Sequence, residues 1–212
     1  IVSTDGDGDR PLISDEKGKW LRGDVAGILC AQYLSSEIVI TPVSSNSSVE
    51  KSSFFDEVIR TKIGSPYVIE AMQNATKDTN KTVVGYEANG GFLQQTRIDQ
   101  EGRCLQALPT RDAAIVPLTI MLLAKKNKLT ISELISKLPQ RYTYSDRVKN
   151  FPTQLSQKII ANFTSGSLGD NLEKIREQFS DCGKPVSIDT IDGLRITFSS
   201  QEIVHLRVSL LN

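Results

Sequence analysis

Residues 5–10 (DGDGDR) constrain this chain more than any other stretch of its sequence. Three aspartates alternate there with glycines, so residues i, i+2 and i+4 of an extended or gently turning loop can point toward one place. Glycine lets the backbone turn tightly enough to bring the carboxylates together. Because converging carboxylates repel each other, a divalent cation is their natural partner. The oxygen ligands of Asp5, Asp7 and Asp9 favour Mg²⁺, Ca²⁺ or Mn²⁺ over zinc.

Arg10 follows the aspartates and adds a planar fork of hydrogen-bond donors that suits a phosphate group. Two other interpretations of this loop exist. An EF-hand calcium loop would place Glu16 at its last ligand position, but Arg10 stands where an EF-hand requires glycine. Residues 1–4 (IVST) begin with two apolar residues and are mostly β-branched, which predicts the end of a strand where an EF-hand has a helix. The second interpretation is an acidic turn exposed to solvent, without a ligand.

Composition and charge exclude several classes of protein. The 25 basic and 25 acidic residues cancel, and no segment is basic enough for a nucleic-acid surface or a membrane anchor. No apolar run approaches the roughly 20 residues that span a bilayer. Cys30, Cys104 and Cys182 are odd in number and widely spaced, which argues against a disulfide framework or a zinc site. We therefore expect a cytoplasmic protein with reduced thiols and with no nucleic-acid or membrane partner.

The pattern of apolar residues predicts an α/β protein. Strand and helix patterns alternate across residues 20–125, beginning with a helix that has Asp24 as its N-cap and a buried strand over residues 37–43. This alternation predicts a layered α/β/α domain with a mixed sheet. The other predicted elements are a helix over residues 65–75, a strand over 81–86, and helices over 112–125 and 131–138, the last capped by Thr130.

The pattern changes near Pro139, and the remaining residues predict a small, incomplete α+β domain. An Asp192-Gly193 pair indicates a hairpin between two of its strands. The chain does not begin with Met and ends at Asn212 directly after a strand-like run, so we expect both ends to be cut. The predicted elements are helices over residues 154–163 and 168–179 and strands over 186–191, 194–198 and 203–208.

A second candidate loop, residues 85–92 (GYEANGGF), opens directly from a predicted strand. Its glycines permit close approach of the backbone to a ligand. Glu87 and Asn89 are two residues apart, so both side chains can face one side and bind neighbouring sugar hydroxyls. The alternative is a glycine-rich turn with a capping glutamate.

A third candidate loop, residues 205–209 (HLRVS), lies at the end of the last predicted strand. Arg207 and Ser209 are two residues apart and can both point at an anion. His205 is the only histidine, and a lone histidine in a strand is more often structural than catalytic. A single histidine also argues against metal clusters and against a Ser-His-Asp hydrolase.

These three loops, in this order, resemble the α-D-phosphohexomutases, most closely bacterial members of the phosphomannomutase/phosphoglucomutase type. Residues 60–65 (RTKIGS) match the same family pattern, and the resemblance covers nearly the whole chain. It implies an enzyme of four domains that interconverts hexose 1-phosphate and hexose 6-phosphate through a phosphoserine and a bisphosphate intermediate. Residues 1–19 would end the second domain, 20–139 would be the third, and 140–212 would be an incomplete fourth.

The resemblance also implies a role for each candidate residue and a substrate of the mannose or glucose phosphate type, with glucosamine phosphate left open. Many relatives have serine where Asn89 stands. The chain departs from the family after Ser209, since Leu210 and Leu211 replace small polar residues. The implied Mg²⁺ ligands are Asp5, Asp7 and Asp9, the implied catalytic residue is Arg10, and the implied substrate-binding residues are Glu87, Asn89, Arg207 and Ser209.

One family motif is missing from this chain. The phosphoserine loop carries a Ser-His-Asn run, but the single histidine, His205, follows Val204. We therefore expect no mutase activity from this chain alone, and we expect its partner to be the N-terminal domains of the same enzyme. Two alternatives remain open: a non-catalytic module that binds Ca²⁺, Mg²⁺ or sugar, and a structural fragment whose loops are disordered.

Overall fold

The computed structural model describes residues 1–77, 79–100 and 102–208. Contacts divide the chain into two units, Ile1–Thr143 and Tyr144–Asn212. The predicted α/β class is confirmed, with a mixed sheet and smaller antiparallel sheets. Within the described residues, no helix combines the length and the apolar character that a bilayer span requires.

The first unit begins with a β-hairpin. Strand β1 (Val2–Thr4) pairs antiparallel with strand β2 (Pro11–Ile13). Thr4 lies opposite Pro11, so residues 5–10 form the connecting loop. The predicted strand end at residues 1–4 is confirmed, and it places the three aspartates at the tip of a hairpin.

A mixed sheet of four strands forms the centre of the first unit. Its strands are β3 (Ile38–Pro42), β4 (Glu57–Thr61), β5 (Val83–Tyr86) and β6 (Phe92–Gln94), in the order β4-β3-β5-β6. Strand β3 is parallel to β4 and β5, whereas β6 is antiparallel to β5. The carboxyl ends of the three parallel strands therefore meet at one edge of the sheet.

Helices cover both faces of this sheet, because successive side chains of its central strands point alternately into two apolar cores. Val39 and Val84 face a core with α1, α4 and α5, while Ile38, Ile40 and Val83 face a second core with α3. The predicted α/β/α layering is therefore confirmed. The helices are α1 (Gly23–Tyr33), α2 (Ser48–Lys51), α3 (Ser65–Ala75), α4 (Ile115–Asn127) and α5 (Ile131–Ser136).

Two predicted helix starts were wrong. Arg22, rather than Asp24, is the N-cap of α1. The Asp24 carboxylate is fully buried in the first turn, where it pairs with Arg22 at 3.1 Å and accepts a hydrogen bond from the Asn46 amide. Helix α4 begins at Ile115, with Ala114 as its N-cap, and the Asp112 carboxylate accepts hydrogen bonds from the Ala114 and Ile115 amides.

Several elements agree with the predictions and several were missed. Helix α3 has the predicted bounds, and Thr130 forms a capping box with Glu133 at the start of α5. Strands β4 and β6 were missed. So were the two strands of a small hairpin, β7 (Ile98–Gln100) and β8 (Arg103–Leu105).

The second unit packs two helices, α6 (Thr153–Asn162) and α7 (Leu168–Gln178), with an antiparallel sheet. The predicted α+β pattern and the hairpin at Asp192-Gly193 are confirmed. The sheet has the order β11-β10-β9 and consists of β9 (Pro185–Asp189), β10 (Leu194–Phe198) and β11 (Ile203–Leu206). The core side chains are Phe163, Ile175, Leu194, Ile196 and Phe198.

Hydrogen bonds from the Asn46 side chain hold residues 139–143 against the loop that follows β3. The buried side-chain amide donates to the Arg141 carbonyl at 2.7 Å and to the Thr143 hydroxyl at 3.0 Å. The Ser48 hydroxyl donates to the Pro139 carbonyl at 2.6 Å. These bonds fix the last residues of the first unit on its own surface.

Replacing Gly23 by alanine should destabilise the first unit. A Cβ on Gly23 would lie 2.1 Å from the amide nitrogen of Gly90 and 2.7 Å from the Ala88 carbonyl oxygen. Because the obstacle is backbone, we expect Gly23→Ala to lower the free energy of unfolding by about 1–3 kcal/mol, measured by urea denaturation. Gly169→Ala is the control, since its nearest contact would be 3.9 Å away. Equal stabilities for the two variants would contradict the clash.

Glu16 ties the hairpin to helix α5. Its carboxylate accepts hydrogen bonds from the Ser132 hydroxyl and, at 3.2 Å, from the Ser132 amide. The hydrogen bond from the Ser132 side chain lowers the pKa of Glu16 to about 2. A folded-state pKa below the unfolded value means that the contact stabilises the fold above the unfolded pKa and is lost as the pH falls through the folded pKa.

Glu16→Gln should therefore flatten the acid dependence of stability. Between about pH 5 and about pH 2, we expect the variant to lose less unfolding free energy than the wild type, because it has no carboxylate to protonate. Urea denaturation at several pH values measures this difference. Glu57→Gln, which changes an exposed residue on β4, is the control. Parallel pH curves for Glu16→Gln and the wild type would show that this contact contributes nothing.

Candidate active site

The loop of residues 5–10 is closed by its own hydrogen bonds. The Asp5 amide donates to the Arg10 carbonyl and the Gly8 amide donates to the Asp5 carbonyl, both at 3.1 Å. The Arg10 amide donates to Oδ1 of Asp5 at 3.2 Å. Gly8 has a φ of +76°, a left-handed conformation that glycine adopts without strain. The sequence thus folds locally into a turn that gathers its carboxylates.

The structure brings the carboxylates of Asp5, Asp7 and Asp9 together. One oxygen from each lies within 4.8 Å of the other two. Three oxygens bound about 2.1 Å from one Mg²⁺ are at most about 4.2 Å apart, so a small contraction would suffice. Asp5 Oδ2 and Asp9 Oδ1 are buried, and both lie near the guanidinium of Arg10. This set of oxygen donors fits a hard divalent cation.

Arg10 lies among these carboxylates. Its Nη2 is 2.5 Å from Asp5 Oδ2, and its Nε is 3.5 Å from Asp9 Oδ1. Burial raises the pKa of Asp5, but hydrogen bonds from Arg10 and the charge of Arg10 outweigh this effect and hold the pKa below its usual value. Asp5 is therefore ionised at neutral pH, ready to bind a cation.

The second candidate loop is a closed turn at the end of β5. The Glu87 amide donates to the Gly91 carbonyl at 2.9 Å, and the Gly90 amide donates to the Glu87 carbonyl at 3.0 Å. Asn89 Oδ1 accepts a hydrogen bond from the Gly91 amide at 3.0 Å. The oxygen of Asn89 therefore stabilises the turn, and its Nδ2 is the part of the side chain that this turn does not use.

The two loops are neighbours at the carboxyl edge of the sheet. In open α/β sheets, ligands bind outside the carboxyl ends of parallel strands, where the strand order reverses. Here the chain passes from β3 outward to β4 and then back across to β5. Gly90 packs on the aspartate hairpin, since a Cβ on it would lie 3.0 Å from the Pro11 carbonyl oxygen.

Arg111, which the sequence analysis missed, contacts both loops. Its Nη1 lies 3.1 Å from Asp9 Oδ2, and its Nη2 lies 2.8 Å from Glu87 Oε2. Nη2 also donates to the Ser65 hydroxyl at 3.2 Å, at the start of α3. The only sequence signal is its position immediately before Asp112, and that position does not distinguish it from an ordinary surface arginine.

In the second unit, Arg207 and His205 both contact Asp192. Arg207 Nε lies 2.9 Å from Asp192 Oδ2, and His205 Nε2 lies 2.6 Å from the Asp192 carbonyl oxygen. The contact between His205 and the Asp192 backbone is consistent with a structural role for this histidine. Arg207 also borders a cavity of about 740 Å³ that Arg147 and Lys149 line within the same unit. Ser209, the second predicted residue of this loop, lies outside the described residues.

Comparison with known proteins shows the family to which this chain belongs. The family model described as "Phosphoglucomutase/phosphomannomutase, alpha/beta/alpha domain III" matches residues 22–142. A phosphomannomutase from Salmonella muenchen is 46% identical over 99% of this chain and 42% of its own length. A phosphomannomutase from Sinorhizobium fredii (strain NBRC 101917 / NGR234) is 38% identical over 99% of this chain and 43% of its own length.

More distant similarities agree with these matches. A phosphoglucosamine mutase from Thermodesulfovibrio yellowstonii is 31% identical over 74% of this chain and 36% of its own length. A crystal structure from Thermus thermophilus, described as a phosphomannomutase, has a TM-score of 0.57 over 98% of this chain and 42% of that one. At 14% identity, it shows a shared fold only. This chain spans less than half the length of these relatives, and it belongs to the phosphoglucomutase/phosphomannomutase family.

Proposed function

We propose that this chain is the metal- and hexose-binding part of a phosphohexomutase, an enzyme that interconverts hexose 1-phosphate and hexose 6-phosphate. The observation that carries the proposal is the meeting of the aspartate loop, Arg10 and Glu87 at one edge of the sheet. Mannose phosphate is the favoured substrate, because the relatives at 46% and 38% identity are named phosphomannomutases. Glucose phosphate and glucosamine phosphate are the other candidates.

The proposed reaction uses a phosphoserine and a bisphosphate intermediate. The phosphoserine gives its phosphoryl group to the free hydroxyl of a hexose monophosphate, and the other phosphoryl group of the bisphosphate later returns to the serine. We infer that the serine belongs to the part of a longer protein that this chain does not include. The matched relatives are more than twice as long as the region they share with this chain.

The residues of this chain would act by positioning and by charge. Asp5, Asp7 and Asp9 would hold Mg²⁺, which when bound supplies positive charge that favours phosphoryl transfer. Arg10 would donate hydrogen bonds to the transferring phosphoryl oxygens, where charge accumulates in the transition state. Glu87 would accept hydrogen bonds from sugar hydroxyls.

Recognition of the sugar and of its second phosphate would fall to other residues. Asn89 would donate from its Nδ2 to a hydroxyl beside the one that Glu87 binds. Arg207 and Ser209 would bind the phosphate that is not reacting. Arg207 now pairs with Asp192, so an incoming phosphate would compete with that carboxylate or share the guanidinium with it.

The domain organisation and the compartment also belong to this proposal. The proposed bounds are residues 1–19, 20–139 and 140–212. The family match ends at residue 142 and the contacts divide after Thr143, both a few residues beyond the proposed boundary. We place the enzyme in the cytoplasm, as the cysteine pattern of the sequence suggests.

Asp7→Asn tests the proposed metal site. Asp7 is exposed, so the substitution should leave the core intact while replacing one charged ligand by a neutral amide. We expect the Mg²⁺ dissociation constant to rise about tenfold or more, measured by isothermal titration calorimetry. Asp99→Asn, at an exposed carboxylate paired with Arg97, should have no effect. Tight Ca²⁺ binding with no measurable Mg²⁺ binding would favour the non-catalytic calcium module instead.

Activity assays test the proposed reaction. We expect this chain alone to turn over neither mannose 1-phosphate nor glucose 1-phosphate, because it has no phosphoserine loop. In the full-length protein, Glu87→Gln should lower kcat/KM by about tenfold to a hundredfold, while Glu70→Gln on the exposed face of α3 should not. Turnover by the isolated chain would contradict the inference that the phosphoserine lies outside it, and an inactive full-length protein would contradict the proposed function.

A further inference from the structure

We propose that Arg111 is a positioning residue that joins the metal loop (residues 5–10) to the sugar loop (residues 85–92), lowering Mg²⁺ affinity while holding Glu87 in place for turnover. This inference rests on the proposed function, because it assigns a role within the same site. Its foundation is one guanidinium that contacts both Asp9 and Glu87. These two carboxylates belong to loops that are far apart in the sequence.

The contacts of Arg111 are suited to holding two loops in register. Arginine presents its donors in a rigid planar fork, so one guanidinium can bind two carboxylates in fixed directions. Here Nη1 serves Asp9 and Nη2 serves Glu87. The Glu87 side chain is only 6% exposed, and Arg111 is 26% exposed. Glu87 without Arg111 would be a buried carboxylate with no countercharge.

The backbone beside Arg111 is also fixed. The Asp112 amide donates to the Phe92 carbonyl at 3.2 Å, which ties the start of this segment to strand β6. Phe92 follows Gly91 in the sugar loop. Two carboxylates therefore hold the guanidinium of Arg111, and strand β6, which continues from the loop, holds the neighbouring backbone.

Gly91 provides the space that Arg111 occupies. A Cβ on Gly91 would lie 2.8 Å from Arg111 Nε and 3.0 Å from Arg111 Cδ. The backbone at Gly91 is not in the left-handed region, so alanine would suit its conformation, and the three atoms nearest its Cβ would all belong to Arg111. Gly91→Ala is thus a way to displace Arg111 without changing any charge.

Charge determines the expected effect on the metal. The site carries four carboxylates and two guanidinium groups, those of Arg10 and Arg111. Removing the positive charge beside Asp9 makes the potential at the aspartates more negative, so Mg²⁺ should bind more tightly. The same removal releases Glu87, so turnover should fall. General damage to the site would weaken both properties, whereas this role moves them in opposite directions.

Magnesium titration of this chain is the first measurement. We expect Arg111→Met to tighten Mg²⁺ binding about threefold to tenfold, by calorimetry with MgCl₂ alone. Arg111→Lys retains the charge and should bind Mg²⁺ as the wild type does. Arg97→Met is the matched control, because it removes a guanidinium from an exposed ion pair with Asp99, and it should change nothing.

Kinetics of the full-length protein are the second measurement. Both Arg111→Met and Arg111→Lys should lower kcat/KM for mannose 1-phosphate about tenfold or more, because an ammonium group cannot bind two carboxylates as a planar fork does. Lysine should therefore restore the metal affinity but not the turnover. A residue with only a structural role would not separate the two readouts.

Gly91→Ala completes the test. Alone, it should lower kcat/KM; in the Arg111→Met background, it should have no further effect, because the guanidinium that holds Glu87 is already absent. Weaker Mg²⁺ binding by Arg111→Met, wild-type kinetics in both Arg111 variants, or additive effects of the two substitutions would each overturn the role of Arg111. Failure of the proposed function would be distinguishable from failure of the Arg111 role, since the wild-type protein itself would then show no Mg²⁺-dependent turnover.

Discussion

Charge compensation between carboxylates and arginines holds this site together. The hairpin tip and the turn after β5 bring four carboxylates to one edge of the sheet, and carboxylates at such distances repel. Arg10 neutralises the aspartates from within their own loop, and Arg111 reaches them from the segment that precedes α4. Because Arg111 also binds Glu87, the attraction of both loops to one guanidinium offsets the repulsion between their carboxylates.

Close backbone contacts make that arrangement possible. The start of α1 and the hairpin strand β2 both approach the turn after β5 so closely that Gly23 and Gly90 have no room for a side chain. Gly91 is small for a different reason, since the stem of Arg111 lies against it. The glycines of this site thus permit three segments to touch, which is a packing role as much as a conformational one.

The sequence predicted those features that depend on neighbouring residues. The spacing of Asp5, Asp7 and Asp9 was sufficient to predict that their carboxylates converge, because all three lie in one turn, and α3 was predicted because its apolar residues follow the helical period. Strand β4 was missed because an edge strand with half-exposed residues has no continuous apolar run. Arg111 was missed because its partner Asp9 is 102 residues away, and only the fold brings them together.

The buried side chain of Asn46 has a consequence for how this protein can be produced. Asn46-Ser47-Ser48 matches the acceptor pattern for N-linked glycosylation. The amide nitrogen that would carry the sugar chain is the one that donates to Arg141 and Thr143. An oligosaccharide attached there before folding would block those bonds and hold residues 139–143 away from the loop after β3. Glycosylation of Asn46 in a eukaryotic secretory pathway would therefore disrupt the attachment of residues 139–143, whereas expression in a bacterial cytosol avoids this modification.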